Sequence, residues 1–206
     1  NLGATVHYRQ GDSDEDRTAY GEGVLAAIGR VPNTDADWFR SSGLKLDERG
    51  YVTVDGYGRT NLDGVWALGD ITPGHALAHR AFEQGITIAE KIAGADPKPV
   101  LDDTVPQVVF SFPEAASVGL TLDQAKARED VVEPKETAYP MLSNARMLMS
   151  GEGGSMTVVS GAFANNPDMQ VVLGVHIVSP IASDLIAEAE QLVGNRVPLA
   201  DAARLI

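Results

Sequence analysis

The sequence predicts an α/β segment followed by an α+β segment, and three stretches carry that prediction. Residues 22–29 (EGVLAAIG) form a continuous apolar run closed by glycine, the pattern of a strand covered on both faces. Residues 60–81 (TNLDGVWALGDITPGHALAHRA) read as a turn, a short buried strand, an acidic tip, a glycine loop and the first turns of a helix. Strand-end and helix-start chemistry meet there, as they do where α/β proteins hold phosphates and cofactors. Residues 95–104 (ADPKPVLDDT) then bring two prolines and three aspartates, the composition of a linker between two domains.

Composition bounds the rest. The 206 residues are 44% hydrophobic and 22% charged, ordinary values for a globular chain. Net charge is −13, which argues against a nucleic-acid backbone or an anionic membrane surface as partner. There is no cysteine, so disulfides and thiolate metal sites are excluded for these residues. No apolar run approaches the ~18 residues of a bilayer span and no signal-peptide pattern opens the chain, so the simplest expectation is a cytoplasmic protein. The chain begins at Asn1 without a methionine and stops at Ile206 within an apolar helical pattern, and both ends are expected to be cut.

The elements follow in order. Residues 4–10 alternate as a strand, and residues 11–17 (GDSDEDR) make a charged hairpin-type loop ahead of the 22–29 strand. Pro32 makes residues 29–33 (GRVPN) a crossover. Residues 37–42 have room for one or two helical turns. Leu44, Leu46, Tyr51, Val52 and Val54 flank a tight turn at Asp47–Gly50, a hairpin pattern. The 65–68 run (VWAL) is the short strand of the central stretch. From His75, the residues Leu77, Ala81, Ile88 and Ile92 recur at near-helical spacing, Ala78, Phe82, Ile86 and Ala89 widen that apolar face, and Gly94 closes the helix.

Beyond the linker, residues 105–120 give a buried strand, a proline break and a second short strand. Thr121 with Gln124 has the form of a capping box opening a helix to Arg128. Residues 158–159 and 171–178 read as strands around a turn at Asn165–Asp168. Ile181, Leu185, Ala189, Leu192 and Val193 mark one face of a helix that Gly194 and Asn195 stop, and Pro198 starts another.

Asp70 is the first residue with chemical meaning. It follows a buried strand and Gly69, so its carboxylate would project from the carboxyl end of a sheet, where an acceptor-only group suits polyol hydroxyls; capping the next turn is the even alternative. The loop 72–74 leads into the helix, whose free N–H groups near Ala76–Ala78 stabilise a developing anion. His75 and His79 sit four apart but lack the further ligands of a metal site, so packing or solvent contact is the better reading. His176 reads as a hydrogen-bonded strand histidine, Trp66 and the methionines 141, 147, 149 and 156 as packing, and residues 151–154 (GEGG) as a hairpin turn.

The order AIGRVPN, then T-x4-VWALGD, then a glycine loop with LAHRA, then VPQVVFSFPEAASVGLT, resembles the flavin-dependent pyridine nucleotide–disulfide oxidoreductase family over essentially all 206 residues. LAHRA is most similar to its dihydrolipoyl dehydrogenase branch. The resemblance implies three parts: residues 1–31 as the end of an NAD-binding domain, 32–100 as the returning part of an FAD-binding domain, and 101–206 as an interface domain that forms a homodimer. It also implies FAD and NAD as cofactors. Asp70, with Gly69, would hold the flavin's ribityl chain. Leu77, Ala78 and His79 would turn their backbone to the isoalloxazine, and Gly29 and Arg30 would lie at the strand end near the nicotinamide nucleotide.

The family's amino-terminal glycine-rich phosphate loop, its redox cysteine pair and its terminal His-Pro-Thr-x-x-Glu segment do not occur in these residues. Residues 111–114 (SFPE) stand for the usual Thr-x-Pro-Glu and Thr157 for a common lysine, both tolerated variation. The resemblance therefore implies a C-terminal piece of an enzyme that oxidises dihydrolipoamide with NAD+, itself carrying no catalytic residue, inactive alone and without FAD when isolated. By the same resemblance its partners would be a second copy and the components of a 2-oxo acid dehydrogenase complex, with no nucleic acid and no membrane. Two rival readings are a mycothione, glutathione or mercuric reductase of the family, and a stand-alone dimerisation module without a redox role.

Overall fold

A computed structural model describes residues 3–204; the readings made on Asn1 and Ile206 lie outside the described residues. The chain opens with strands β1 (Ala4–Tyr8) and β2 (Arg17–Gly21), an antiparallel hairpin in the register Ala4 to Gly21. Arg9 Nε donates to Asp16 at 2.6 Å across the charged loop between them.

The apolar run 22–29 is not a strand. It is irregular and open to solvent, with Leu25 91% and Ile28 98% exposed. A strand buried on both faces needs neighbours that supply its ladder and cover, and among the described residues no strand pairs with this one. The pattern records a buried environment that these residues do not provide.

A small first core follows. Helix α1 (Asp37–Ser41) buries Phe39 against Val52 and Ala67. The expected turn at Asp47–Gly50 is present: the Gly50 N–H donates to the Asp47 carbonyl at 3.0 Å, and Leu46 bridges Val52. The Asp47 side chain accepts from the N–H groups of Arg49 and Tyr51, and Asp55 repeats this device with Tyr57 and Arg59. The expected strand at 65–68 shrinks to one bridge between Trp66 and Arg59, because the chain bends at once into a 3₁₀ turn, Gly69–Ile71.

Helix α2 (Ala78–Ile92) is the long helix of this half, and Gly94 follows it with φ +85°. Its orientation splits the apolar face expected from the sequence. Arg80, Thr87 and Ile88 are buried, whereas Phe82 is 74% and Ile86 54% exposed. The polar stripe faces the rest of the chain and much of the apolar stripe faces outward.

The second half is a five-stranded antiparallel sheet in the order β3 (Gln107–Val109), β4 (Glu114–Gly119), β7 (Asn166–Ser179), β6 (Ser155–Phe163), β5 (Val131–Pro140). Helix α5 (Ala182–Gly194) lays Ala182, Ile186, Ala189 and Val193 on β4 and β7 to form the main core, while Ile181, Leu185 and Leu192 are only half-buried. Helix α3 (Leu122–Ala127) covers a second cluster through Ala125, and its Thr121–Gln124 capping box is formed in both directions.

Four readings change here. β3, expected to be buried, is a largely exposed edge strand. β5 was not foreseen; its Pro134 sits at an irregularity between Val132 and Lys135, which an edge strand tolerates. The β6–β7 turn lies at residues 164–165, ahead of the Asn-Pro-Asp sequence, so Asn166 is already paired with Phe163. Residues 151–154 do not join two strands but connect helix α4 (Ala145–Ser150) to β6, with Gly151 as its left-handed cap. Pro198 does precede a short helix, α6 (Leu199–Ala202).

Candidate functional site

The corner at the start of α2 collects most of the residues singled out from the sequence. Gly69 is buried with φ +71°, and its N–H donates to Gln84 Oε1 at 2.8 Å on the second turn of the helix. Its carbonyl accepts from the Thr72 hydroxyl at 2.8 Å and the Thr72 N–H at 3.0 Å. Thr72 is itself 1% exposed. The 3₁₀ turn is thus fixed from both sides, and Asp70 in its middle is exposed, with no hydrogen bond to a side chain or turn amide among the described residues.

Leu77 occupies the N-cap position with extended backbone and no side-chain cap, and no acidic residue stands in the first turn. The Ala81 N–H is the first to find a helical carbonyl, that of Leu77. Among the described residues the N–H groups of Ala78, His79 and Arg80 therefore have no acceptor, at the positive end of a fifteen-residue helix. Donors without an internal acceptor, beside an unengaged carboxylate, can receive an electron-rich ring edge on one side and hydroxyl donors on the other.

The histidines have structural partners. His79 Nε2 lies 2.7 Å from the Pro106 carbonyl, and His75 Nε2 lies 3.2 Å from Gln107 Nε2, so both reach to the start of β3. His75 precedes the helix and does not share a face with His79. His176 bonds the Leu120 carbonyl at 3.1 Å, as a strand histidine should. Among the described residues no group of three or more His, Asp or Glu could hold a metal. Gly29 and Arg30 are not drawn into the corner: both lie in the exposed stretch after residue 22, and nothing stands within 4 Å of where a Gly29 Cβ would be.

Sequence reasoning missed the residues behind the corner. Arg80 is buried; its Nε donates to Asp102 at 2.6 Å and its Nη2 to the Pro73 carbonyl at 2.6 Å. Arg80, Gln84 and Thr87 line a cleft of about 700 Å³ between this half and the second sheet. Arg80, Gln84, Thr87 and Lys91 recur at helical spacing, a signal that was visible but looks like a solvated face when the partner domain is not known.

Comparison with known proteins agrees with this architecture. Residues 3–85 match the model of the pyridine nucleotide-disulphide oxidoreductase family, and residues 105–206 match that of its dimerisation domain. The chain belongs to the pyridine nucleotide–disulphide oxidoreductase family. It is 40% identical to dihydrolipoyl dehydrogenase of Cupriavidus necator over 91% of its length and 39% identical to that of Geobacillus stearothermophilus over 90%. It spans 38% of each of those relatives. Among solved structures it superposes on LpdA of Mycobacterium tuberculosis with TM-score 0.80 and 31% identity, covering 97% of this chain and 43% of that one. The flavoprotein disulfide reductase RclA of Escherichia coli shares the fold at TM-score 0.76 and 22% identity, over 92% of this chain and 42% of RclA.

Proposed function

We propose that these residues are part of a flavoprotein that oxidises dihydrolipoamide with NAD+ through FAD and a cysteine pair. The observation that carries this reading is the free N-terminus of α2 beside Asp70, in a chain 40% identical to a dihydrolipoyl dehydrogenase. Residues 1–31 would close an NAD-binding domain, 32–100 would return to the FAD-binding domain, and 101–206 would form the interface of a homodimer. Proposed partners are a second copy and the components of a 2-oxo acid dehydrogenase complex, in the cytoplasm. Among the described residues no helix is long and apolar enough to cross a membrane.

The residues present fit a flavin. FAD supplies the two-electron relay between dithiol and nicotinamide. The N–H groups of Ala78 and His79 would face the electron-rich edge of its ring, and Leu77 would set where they point. Asp70 would accept hydrogen bonds from the ribityl hydroxyls, held outward by the Gly69 bonds to Gln84 and Thr72. Gly29 and Arg30 would border the nicotinamide nucleotide. No cysteine occurs in the 206 residues, so thiol–disulfide exchange would need groups outside them.

The test compares, for the complete polypeptide that carries this chain, NAD+ reduction by dihydrolipoamide with oxidation of NADH or NADPH by mycothione disulfide, glutathione disulfide or mercuric ion. The reading expects dihydrolipoamide to be the preferred partner. A preference for one of the others would transfer the chain to another branch of the family. The 206 residues alone should give no turnover, and measurable turnover would overturn the division of labour.

A further inference from the structure

We propose that Arg80 is a positioning residue: with Asp102 it locks the loop 73–77, and with it the start of α2, onto the second domain. The guanidinium ties together three segments, of which the Asp102 turn lies 22 residues away in sequence. It belongs to the first turn of α2, donates through Nη2 to the Pro73 carbonyl at the entry of the glycine loop, and donates through Nε to Asp102 in the 3₁₀ turn Asp102–Thr104 that leads into the sheet. Both bonds are 2.6 Å, and the Arg80 side chain is 5% exposed, so the lock is shielded from water although Asp102 is 40% exposed.

Gly74 completes the device. Its φ of +119° belongs to the region that favours glycine, and a Cβ there would run into the Arg80 guanidinium and the Asp102 carboxylate. The loop therefore lies directly on the ion pair. The third guanidinium nitrogen, Nη1, is buried and has no hydrogen-bond partner among the described residues, and within them two bonds hold Arg80 to the lock. A buried cation with donor capacity to spare is costly unless its geometry is needed. A planar fork that must reach two acceptors at fixed angles meets that need, whereas an ammonium supplies no such fork. The neighbouring contact of His79 with the Pro106 carbonyl fastens the same helix end to the same domain.

The lock follows from these contacts alone. Its consequence for a bound cofactor rests on the flavin reading above, because the N–H groups of Ala78 and His79 sit between Arg80 and the free corner.

The test uses four variants, Arg80→Met, Arg80→Lys, Asp102→Asn and Gly74→Ala, in the complete polypeptide, with two readouts. The first is amide hydrogen exchange. Arg80→Met and Gly74→Ala should speed exchange of the hydrogen-bonded amides at this end, Leu77 in the loop and Ala81 in the first turn, by about tenfold or more, with β6 and β7 unchanged, and Arg80→Lys should recover part of the protection. Asp102→Asn keeps an acceptor and should act in the same direction more weakly, which covers the case in which an Arg80 variant fails to fold. Unchanged exchange in the loop for a folded Gly74→Ala or Asp102→Asn variant would overturn the lock. The second readout is the reduction potential of bound flavin. A shift that follows the order of loop exchange supports the positioning role. Faster loop exchange with an unmoved potential overturns the link to the flavin and leaves the lock standing.

Discussion

At the scale of single residues, the contacts that matter are those fixing the ends of elements. Glu114 accepts from the Ser183 N–H at 2.8 Å, so the first residue of β4 caps α5 across 69 residues of sequence. That bond to Ser183 holds the Glu114 carboxyl below the usual glutamate value. A depressed folded-state value means stability that is fully present above the unfolded-state value and is lost as the pH falls through the folded-state one. Glu114→Gln should therefore lower the melting temperature at neutral pH, and the difference from the parent should vanish in acid below the ordinary glutamate range; thermal unfolding across that range checks it. Gly119 has φ +81°, and a Cβ there would strike the Leu173 carbonyl on β7. Gly119→Ala should cost about 2 kcal/mol or more in a denaturant titration, because backbone cannot yield as a side chain does.

At the scale of elements, α2 separates what the sequence dictates from what the fold decides. The periodicity gave a helix and the glycine its end, and both are present. Which stripe turns inward was not legible, because Phe82 and Ile86 are as apolar as Ile88 and long-range packing, such as that of Ile88 beside Gly58, selects between them. Ile88→Ala should cost about 2–4 kcal/mol in the 206-residue chain by the transfer and cavity terms, whereas Phe82→Ser should stay within about 0.5 kcal/mol. Equal losses for both would contradict the observed orientation. Legibility failed for β5 for a different reason. Pro134 and its charged neighbours argue against a strand, and only an edge position with an irregular register accommodates them. The cofactor roles proposed for Asp70, Gly69, Leu77, Ala78 and His79 rest on the family resemblance, and these residues lie in the 3₁₀ turn and at the start of α2. Arg80 and Asp102 were not legible, since 22 residues separate two groups whose pairing depends on the interdomain fold.

At the scale of the whole molecule, two halves with separate small cores meet along a cleft, and apolar surface remains open on both. Val24, Leu25 and Ile28 precede the first core, and Phe110 and Phe112 stand in the loop between β3 and β4, all well exposed. Large apolar side chains left open to solvent suit a covered surface, and the second half matches a dimerisation domain. Sedimentation of the 206-residue chain should give the mass of two 21.8 kDa chains, and a monomer at high concentration would count against self-association through that half. At the corner where α2 begins, Asp70 is proposed to hold the ribityl chain of FAD. The flavin absorbance of the purified complete polypeptide, compared between the parent and Asp70→Ala, tests this. The parent should be yellow with stoichiometric FAD, and the variant should lose most of its flavin on dialysis. A colourless parent, or a variant that keeps FAD as firmly as the parent, would contradict it.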